Sequence, residues 1–430
     1  MRGAAFVPSL SGVGREITPR VGYRAALASR EFRALLAAQL ISVSGTSIAA
    51  VALTILVYRR TGSPLLASLT FAIGFLPYLL GGALLSGIVD RVRPRRLLAG
   101  CDSASALLAA AMAWPAMPIP ILLALLLAIG TLSSVSSGAR ATLVRSTVSE
   151  DAYVPARSLL RIAAQFAQIG GNASGGALLI ILSPSGALLV NAASFAFSAT
   201  TVRLILADHP NLGQRGQATL LRDSLRGARS VLAHAELRRL LLVGWLAPMF
   251  AVAPEALAAP YVAAHHGSST LVGWWLIALP VGLIAGDIAG VRLLSPHQQR
   301  RLVAPALAAS FLPYLAFALD PPIPIALPLL VSSGACGLYA LGLDARVRDA
   351  APPQLFARTM TLNSAGLMTL QGIGFTLAGA MAQATGSATA IAIAGSCGLA
   401  TTIVLLRADI PPEPNVQATP PESAVREQAH

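Results

Sequence analysis

Two stretches of this chain repeat one another at an offset of 205 positions. Ser29-Arg30-Glu31-Phe32-Arg33 opens the first copy and His234-Ala235-Glu236-Leu237-Arg238 opens the second. Thr61-Gly62-Ser63 returns as His266-Gly267-Ser268, and Arg95-Arg96-Leu97 as Arg300-Arg301-Leu302. Such a repeat, held without a gap, implies two like halves before any helix is assigned. Later, Ala156-Arg157-Ser158 returns as Ala357-Arg358-Thr359 at an offset of 201. If the chain spans a membrane, such a duplication points to transport along a path between the halves.

Composition says that it does. Hydrophobic residues make up 55% of the chain and charged residues only 11%, where a soluble domain carries about 25% charged residues. At roughly 20 apolar residues per crossing, 430 residues make room for about a dozen spans. Twelve are expected, near 34–57, 67–89, 97–114, 119–138, 158–181, 185–205, 239–262, 270–291, 302–319, 323–343, 359–383 and 386–406. The expected fold is therefore all-α and integral to the membrane, with twelve transmembrane helices in two pseudo-symmetric six-helix halves. Six spans per half, an even number, let both halves share one orientation.

The net charge of +13 does not mark a nucleic-acid binder. The 31 basic residues are all Arg and sit in short clusters between apolar runs. Even-numbered connections carry Arg91, Arg93, Arg95 and Arg96, then Arg140, Arg145 and Arg157, then Arg215 to Arg239, and later Arg292, Arg300, Arg301, Arg346, Arg348 and Arg358. Odd-numbered connections are nearly free of Arg, and only Arg59 and Arg60 fall on the opposite face. This asymmetry places both termini in the cytoplasm of a multi-pass cell-membrane protein.

Five regions follow: a cytoplasmic tail (1–33), a first half (34–206), a linker (207–236), a second half (237–406) and a disordered tail (407–430). The tail before residue 34 lacks the apolar core of a signal peptide. A short surface helix is expected around Leu220 to Leu232. Cys101, Cys336 and Cys397 fall inside spans and offer neither a disulfide framework nor metal-ligand spacing.

Between spans 2 and 3 the chain reads Gly87-Ile88-Val89-Asp90-Arg91-Val92-Arg93-Pro94-Arg95-Arg96. This resembles the G-x-x-x-D-R-x-x-R-R signature of the Major Facilitator Superfamily. The resemblance covers most of residues 30–406. It implies that Gly87, Asp90, Arg91, Arg95 and Arg96 form a conformational gate rather than a substrate site. The second copy, Gly290-Val291-Arg292-Leu293-Leu294-Ser295-Pro296, lacks the Asp. Thr61-Gly62-Ser63-Pro64, Leu76-Pro77-Tyr78 and Ala253-Pro254-Glu255 look like bacterial drug and siderophore exporters, nearest to an enterobactin-exporter-like group. Gly171-Asn172-Ala173-Ser174-Gly175-Gly176 resembles the antiporter signature G-P-x-x-G-G, with Asn172 in place of Pro. The implied function is efflux by exchange.

Glu255, between Pro254 and Pro260, is the candidate for proton coupling or cation binding. A charge at bilayer depth is costly and normally faces a cavity. The alternative is that it reaches external water. Asp102 and Asp287 lie near the inner ends of spans 3 and 8, as structural ion pairs with Arg or as an inner gate. Gln165, Gln168 and Asn172 share one face of span 5, Gln39 and Thr46 one face of span 1, and Asn363 and Gln371 one face of span 11. With Phe250 they are candidates to line a substrate cavity, since the resemblance places spans 1, 5, 7 and 11 around it. Hydrogen bonding between helices is the competing role. Phe250, Trp245, Tyr261, Trp274 and Trp275 could form an aromatic wall for apolar substrates, but Trp274 and Trp275 are expected rather as interfacial anchors. His265 and His266 are expected as an exposed pair in an outer loop.

No phosphate-binding loop, H-E-x-x-H or G-x-S-x-G occurs, so the chain is not expected to be an enzyme or to need a cofactor. The expected partners are lipid, a small-molecule substrate and protons, with the chain working as a monomer. An importer or uniporter of a small polar metabolite, or a transporter-like sensor, are the alternatives.

Overall fold

The computed structural model describes residues 23–84, 92–149, 152–208, 228–352 and 355–406. Its regular elements are helices, with no strand among the described residues. Inside hydrocarbon a backbone must satisfy its own hydrogen bonds, and a helix does so within one segment. The main elements are α1 (Arg30–Thr61), α2 (Pro64–Leu84), α3 (Pro94–Met112), α4 (Ile119–Thr147), α5 (Tyr153–Ile181), α6 (Pro184–Ile205), α7 (Ala235–Ala251), α8 (Ser269–Leu293), α9 (Val303–Leu315), α10 (Ile323–Ala335), α11 (Phe356–Thr385) and α12 (Ser387–Leu406). Residues 228–233 are helical and overlap the end of the expected surface helix, whose earlier part lies outside the described residues.

Local sequence sets the boundaries. Pro64, Pro94 and Pro184 begin α2, α3 and α6, where a missing N–H costs nothing. The Ser183 hydroxyl accepts from the Gly186 N–H at 3.1 Å and the Ser63 hydroxyl from the Leu66 N–H at 3.3 Å, capping α6 and α2.

Eight helical stretches among the described residues are long and apolar enough to cross a membrane. Pro64–Phe75 and Val303–Leu319 are apolar but shorter. α3 and α5 fall outside that set. They carry Arg95, Arg96 and Asp102, and Arg157 and Arg161, respectively.

The chain divides into two compact units, Met1–Ala52 with Leu80–Gln217, and Leu53–Leu79 with Ala218–His430. α1 and α2 each contribute to both, whereas the sequence suggests one boundary in the linker. In the first unit Phe32, Leu35, Leu98, Leu143, Leu160 and Val202 form a core drawn from α1, α3, α4, α5 and α6. α5 meets α1 through small residues: Gly171 lies against Ser44 and Ser47, and Gly175 against Ile48 and Val51. Small residues allow such close approach where lipid provides no hydrophobic drive. The run resembling the antiporter signature is thus a helix-packing surface here.

In the second unit α8 and α10 meet backbone to backbone. A Cβ on Gly282 would collide with the Val331 carbonyl, one on Gly286 with the Ala335 carbonyl, and one on Gly334 with the Leu279 carbonyl. α12 meets α9 through side chains laid on glycine, with Gly395 against Tyr314 and Gly398 against the Phe311 ring. Within this unit Phe375 of α11 stacks between Phe71 and Phe75 of α2, at centroid separations of 5.3 and 5.4 Å.

Candidate functional site

The seventh apolar run does not fold as one helix. Pro248, Pro254 and Pro260 each lack an N–H to give to the preceding turn. α7 ends at Ala251, followed by a turn at Ala253–Ala256 and another at Ala258–Ala264. Side chains from other helices donate to carbonyls along this break. The Tyr314 hydroxyl of α9 donates to the Ala251 carbonyl at 2.9 Å. The Trp275 indole of α8 donates to the Pro254 carbonyl at 2.7 Å.

Glu255 stands in the first of these turns, half-buried, and lines a cavity of about 290 Å³. Trp275, Phe311, Tyr314, Leu330, Tyr339 and Gln371 contribute to its walls. Glu255 is the one carboxylate among the lining residues, and its side chain has no hydrogen-bond or ion-pair partner among the described residues. The other polar groups are largely spent on the backbone. Ser333 donates to the Ser310 carbonyl and Ser310 to the Leu307 carbonyl, both at 2.7 Å. The result is a mostly apolar, aromatic chamber with one unpaired acid.

Beyond the break the chain continues into an aromatic cluster. Tyr261 stacks on His265 and packs against Trp275 and Phe317, and its hydroxyl donates to the Pro321 carbonyl at 2.6 Å. His265 Nε2 lies 3.5 Å from an Asp320 carboxylate oxygen. Two sequence expectations are corrected here. Trp275 is 1% exposed and is a core residue, while its neighbour Trp274 is 55% exposed. His265 is packed on a ring rather than freely exposed.

Of the cavity candidates, the structure brings Gln371 to Glu255. Phe250 is half-buried and does not line this chamber. Asn363 lies two turns away on α11, where its carbonyl accepts from the Trp245 indole at 3.1 Å. In the first unit, Gln165 and Gln168 are exposed on α5 and Gln39 is half-buried on α1. Asn172 is buried on the α5 face that meets α1. Thr46 donates to the Ser42 carbonyl at 2.9 Å and lies 3.5 Å from the Asn191 side chain.

Asp102 is 2% exposed. It accepts from the Ser198 hydroxyl at 2.6 Å and the Ser136 hydroxyl at 3.4 Å, with Arg140 at 3.9 Å. This is a buried polar knot joining α3, α4 and α6. Asp287 of α8 faces the charge of Asp344 rather than an Arg. Of the gate motif, Gly87, Asp90 and Arg91 lie outside the described residues. Arg95 donates to the Arg203 carbonyl, and Arg96 pairs with Asp208 at 3.3 Å. Tyr314 and Tyr339 are the site residues that sequence reasoning missed, and Trp275 takes the aromatic-wall position that competes in the sequence with an interfacial one. Only their tertiary neighbours reveal them.

Residues 22–428 match the family model of the transmembrane secretion effectors. The chain is 26% identical over 367 residues to the multidrug efflux pump Tap of Mycolicibacterium fortuitum, spanning 82% of this chain and 89% of that one. Among solved structures it resembles the xylose transporter XylE from E. coli, with a TM-score of 0.62 and 14% identity over 89% of this chain and 97% of that one. It also resembles a bacterial homologue of the iron transporter ferroportin, with a TM-score of 0.66 and 15% identity over 88% and 98%.

Proposed function

The chain belongs to the transmembrane secretion effector family of the Major Facilitator Superfamily and is a multi-pass membrane secondary transporter; from that premise we propose that it exports amphipathic small molecules in exchange for protons, with Glu255 carrying the proton or meeting a cationic substrate. The observation behind this reading is the unpartnered Glu255 carboxyl in its aromatic chamber. An acid in that setting gains from binding either a proton or a cation, because nothing nearby compensates its charge. The chamber's few remaining polar groups suit an amphipathic ligand rather than a sugar, which needs many hydrogen-bond partners. Export follows the named activity of the efflux-pump relative.

The wider proposal is twelve crossings in two halves, 34–206 and 237–406, that alternate access to a path open to each side in turn. Both termini and the Arg-rich connections lie in the cytoplasm, following the charge asymmetry. Asp90, Arg91, Arg95 and Arg96, with Gly87, act as the conformational gate. Gln39, Thr46, Gln165, Gln168, Asn172, Phe250, Asn363 and Gln371 are proposed as polar and aromatic contacts along the path, with Asp102 and Asp287 near its inner end. The chain acts as a monomer in the cell membrane.

Energised inside-out vesicles with a pH-reporting dye test this reading. A panel of amphipathic cations is expected to discharge the proton gradient in wild-type vesicles but not in empty or Glu255→Gln vesicles. A Glu255→Gln response equal to wild type removes Glu255 from the coupling step. No response to any compound, in vesicles shown to hold folded protein, removes proton-coupled export.

A further inference from the structure

We propose that the Arg-lined pocket where α3 begins and α6 ends holds the headgroup phosphate of an anionic phospholipid, with the acyl chain lying along the adjoining outer faces of those helices. This site is separate from the Glu255 chamber and does not depend on the direction of transport.

The pocket measures about 480 Å³ and lies wholly within the first unit. Arg95, Arg96, Gly100 and Ser103 line it from α3, Arg203 from the end of α6, and Asp208 from just beyond. Arg93 and Arg96 both reach Asp208, at 2.5 and 3.3 Å. That carboxylate fixes two guanidinium groups and offsets only part of the local positive charge. Arg95 is held through the Arg203 carbonyl. The Arg203 guanidinium is exposed and has no hydrogen-bond or ion-pair partner among the described residues. An Arg fork is matched to phosphate oxygens, which it engages two at a time. The N-terminus of α3 adds its partial positive charge. Gly100 leaves open space where a side chain would begin.

What selects a lipid over a soluble phosphate is the surface that continues from the pocket. Arg96, Gly100, Ser103 and Leu107 recur at i, i+4, i+7 and i+11, so they form one face of α3. Leu107 is 74% exposed. On α6, the exposed Thr200, Ala196 and Leu189 lie 3, 7 and 14 residues before Arg203 and share its side. The two helices pack on each other, and both faces meet at the pocket. A charged head is thus followed, on both helices, by small residues and then by exposed Leu. A free phosphate has no use for such a continuation. A headgroup with its acyl chain matches it from end to end.

Native mass spectrometry of the full-length protein in detergent tests this, with phosphatidylglycerol and phosphatidylcholine as probes and inorganic phosphate as competitor. Phosphatidylglycerol is expected to bind more tightly than phosphatidylcholine. Arg203→Gln should weaken phosphatidylglycerol binding about tenfold, as for the loss of one charge-assisted contact. Gly100→Leu should weaken it by obstruction. Arg301→Gln, an exposed Arg in the other unit, should leave it unchanged. Equal binding by wild type and Arg203→Gln overturns the site. An equal loss with Arg301→Gln reduces it to general charge attraction and also overturns it. Displacement by millimolar inorganic phosphate overturns the lipid as occupant in favour of a soluble phosphate.

Discussion

Trp275 donates its indole N–H to the carbonyl of Pro254 at 2.7 Å, so a helix interrupted by proline is bridged by its neighbour. The carbonyl lies next to Glu255, and the bond ties the cavity wall to the break. Trp275→Phe keeps an aromatic ring but gives up the indole N–H and part of the buried volume, leaving that carbonyl without a donor. The expected cost is about 1–3 kcal/mol, read as a lower midpoint of thermal unfolding in detergent. Trp274→Phe, on the exposed neighbour, should change little. Equal effects from the two substitutions would remove the bridging role.

Tyr314 makes the companion bond to the Ala251 carbonyl. Tyr314→Phe should cost about 1 kcal/mol in stability. Because Tyr314 also lines the Glu255 chamber, transport of large amphipathic cations should fall more than the protein's abundance. Measuring both in the same membranes separates the two effects.

The buried Asp102 knot is expected to be structural. Ser198→Ala removes the 2.6 Å hydrogen bond to a buried carboxylate and should destabilise by roughly 1.5–3 kcal/mol. Yield of folded protein after detergent extraction reads this directly. Unchanged yield with altered transport would instead make Asp102 part of the inner gate.

Close backbone approach makes α8 intolerant of side chains. Gly286→Ala places a methyl on the Ala335 carbonyl and is expected to cost at least the 1–3 kcal/mol typical of overpacking. Gly74→Ala, where nothing lies near the added methyl, should be neutral or stabilising by about 0.5–1 kcal/mol through helix propensity. Size-exclusion profiles of the two variants make the comparison.

Asp208 carries a pH signature. The hydrogen bond from Arg93, helped by the charges of Arg93, Arg96 and Arg95, holds its carboxyl below the ordinary 3.8. Its contribution is therefore present above that value and lost as pH falls through the lowered one. Asp208→Asn should flatten the acid side of a stability profile and leave the neutral side nearly unchanged. A profile identical to wild type below pH 4 argues against the Arg93 bond.

The all-helical membrane class and the isolated Glu255 were legible in the sequence because each rests on local chemistry or periodicity, whereas the two compact units, which each hold part of α1 and of α2, do not follow the single boundary that the repeat suggests. The choice between wall and anchor for Trp275 was not legible, because depth in a bundle depends on what surrounds a residue. Two adjacent Trp look alike on paper, yet one faces inward and its neighbour outward. The run Gly171 to Gly176 was legible as a pattern, but its contact with Ser44, Ser47, Ile48 and Val51 needed the partner helix. Arg203 gave no signal of its own. Its place beside Arg95 and Arg96 arises from the packing of α6 on α3.

The glycines that press α8 onto α10 also bear on how the second unit can deform. At Gly282, Gly286 and Gly334 the backbones touch with no side chain between them, so there is little there to slide, re-rotamerise or compress. The pair behaves as a rigid strut. Flexing within this unit falls instead to the proline-broken stretch after α7, where backbone bonds such as that from Ala256 to Val252 persist but those from Tyr314 and Trp275 serve the Ala251 and Pro254 carbonyls and can be exchanged singly. The chamber around Glu255 thus has one stiff wall and one hinged wall, and a ligand inside it would be felt first by the hinge.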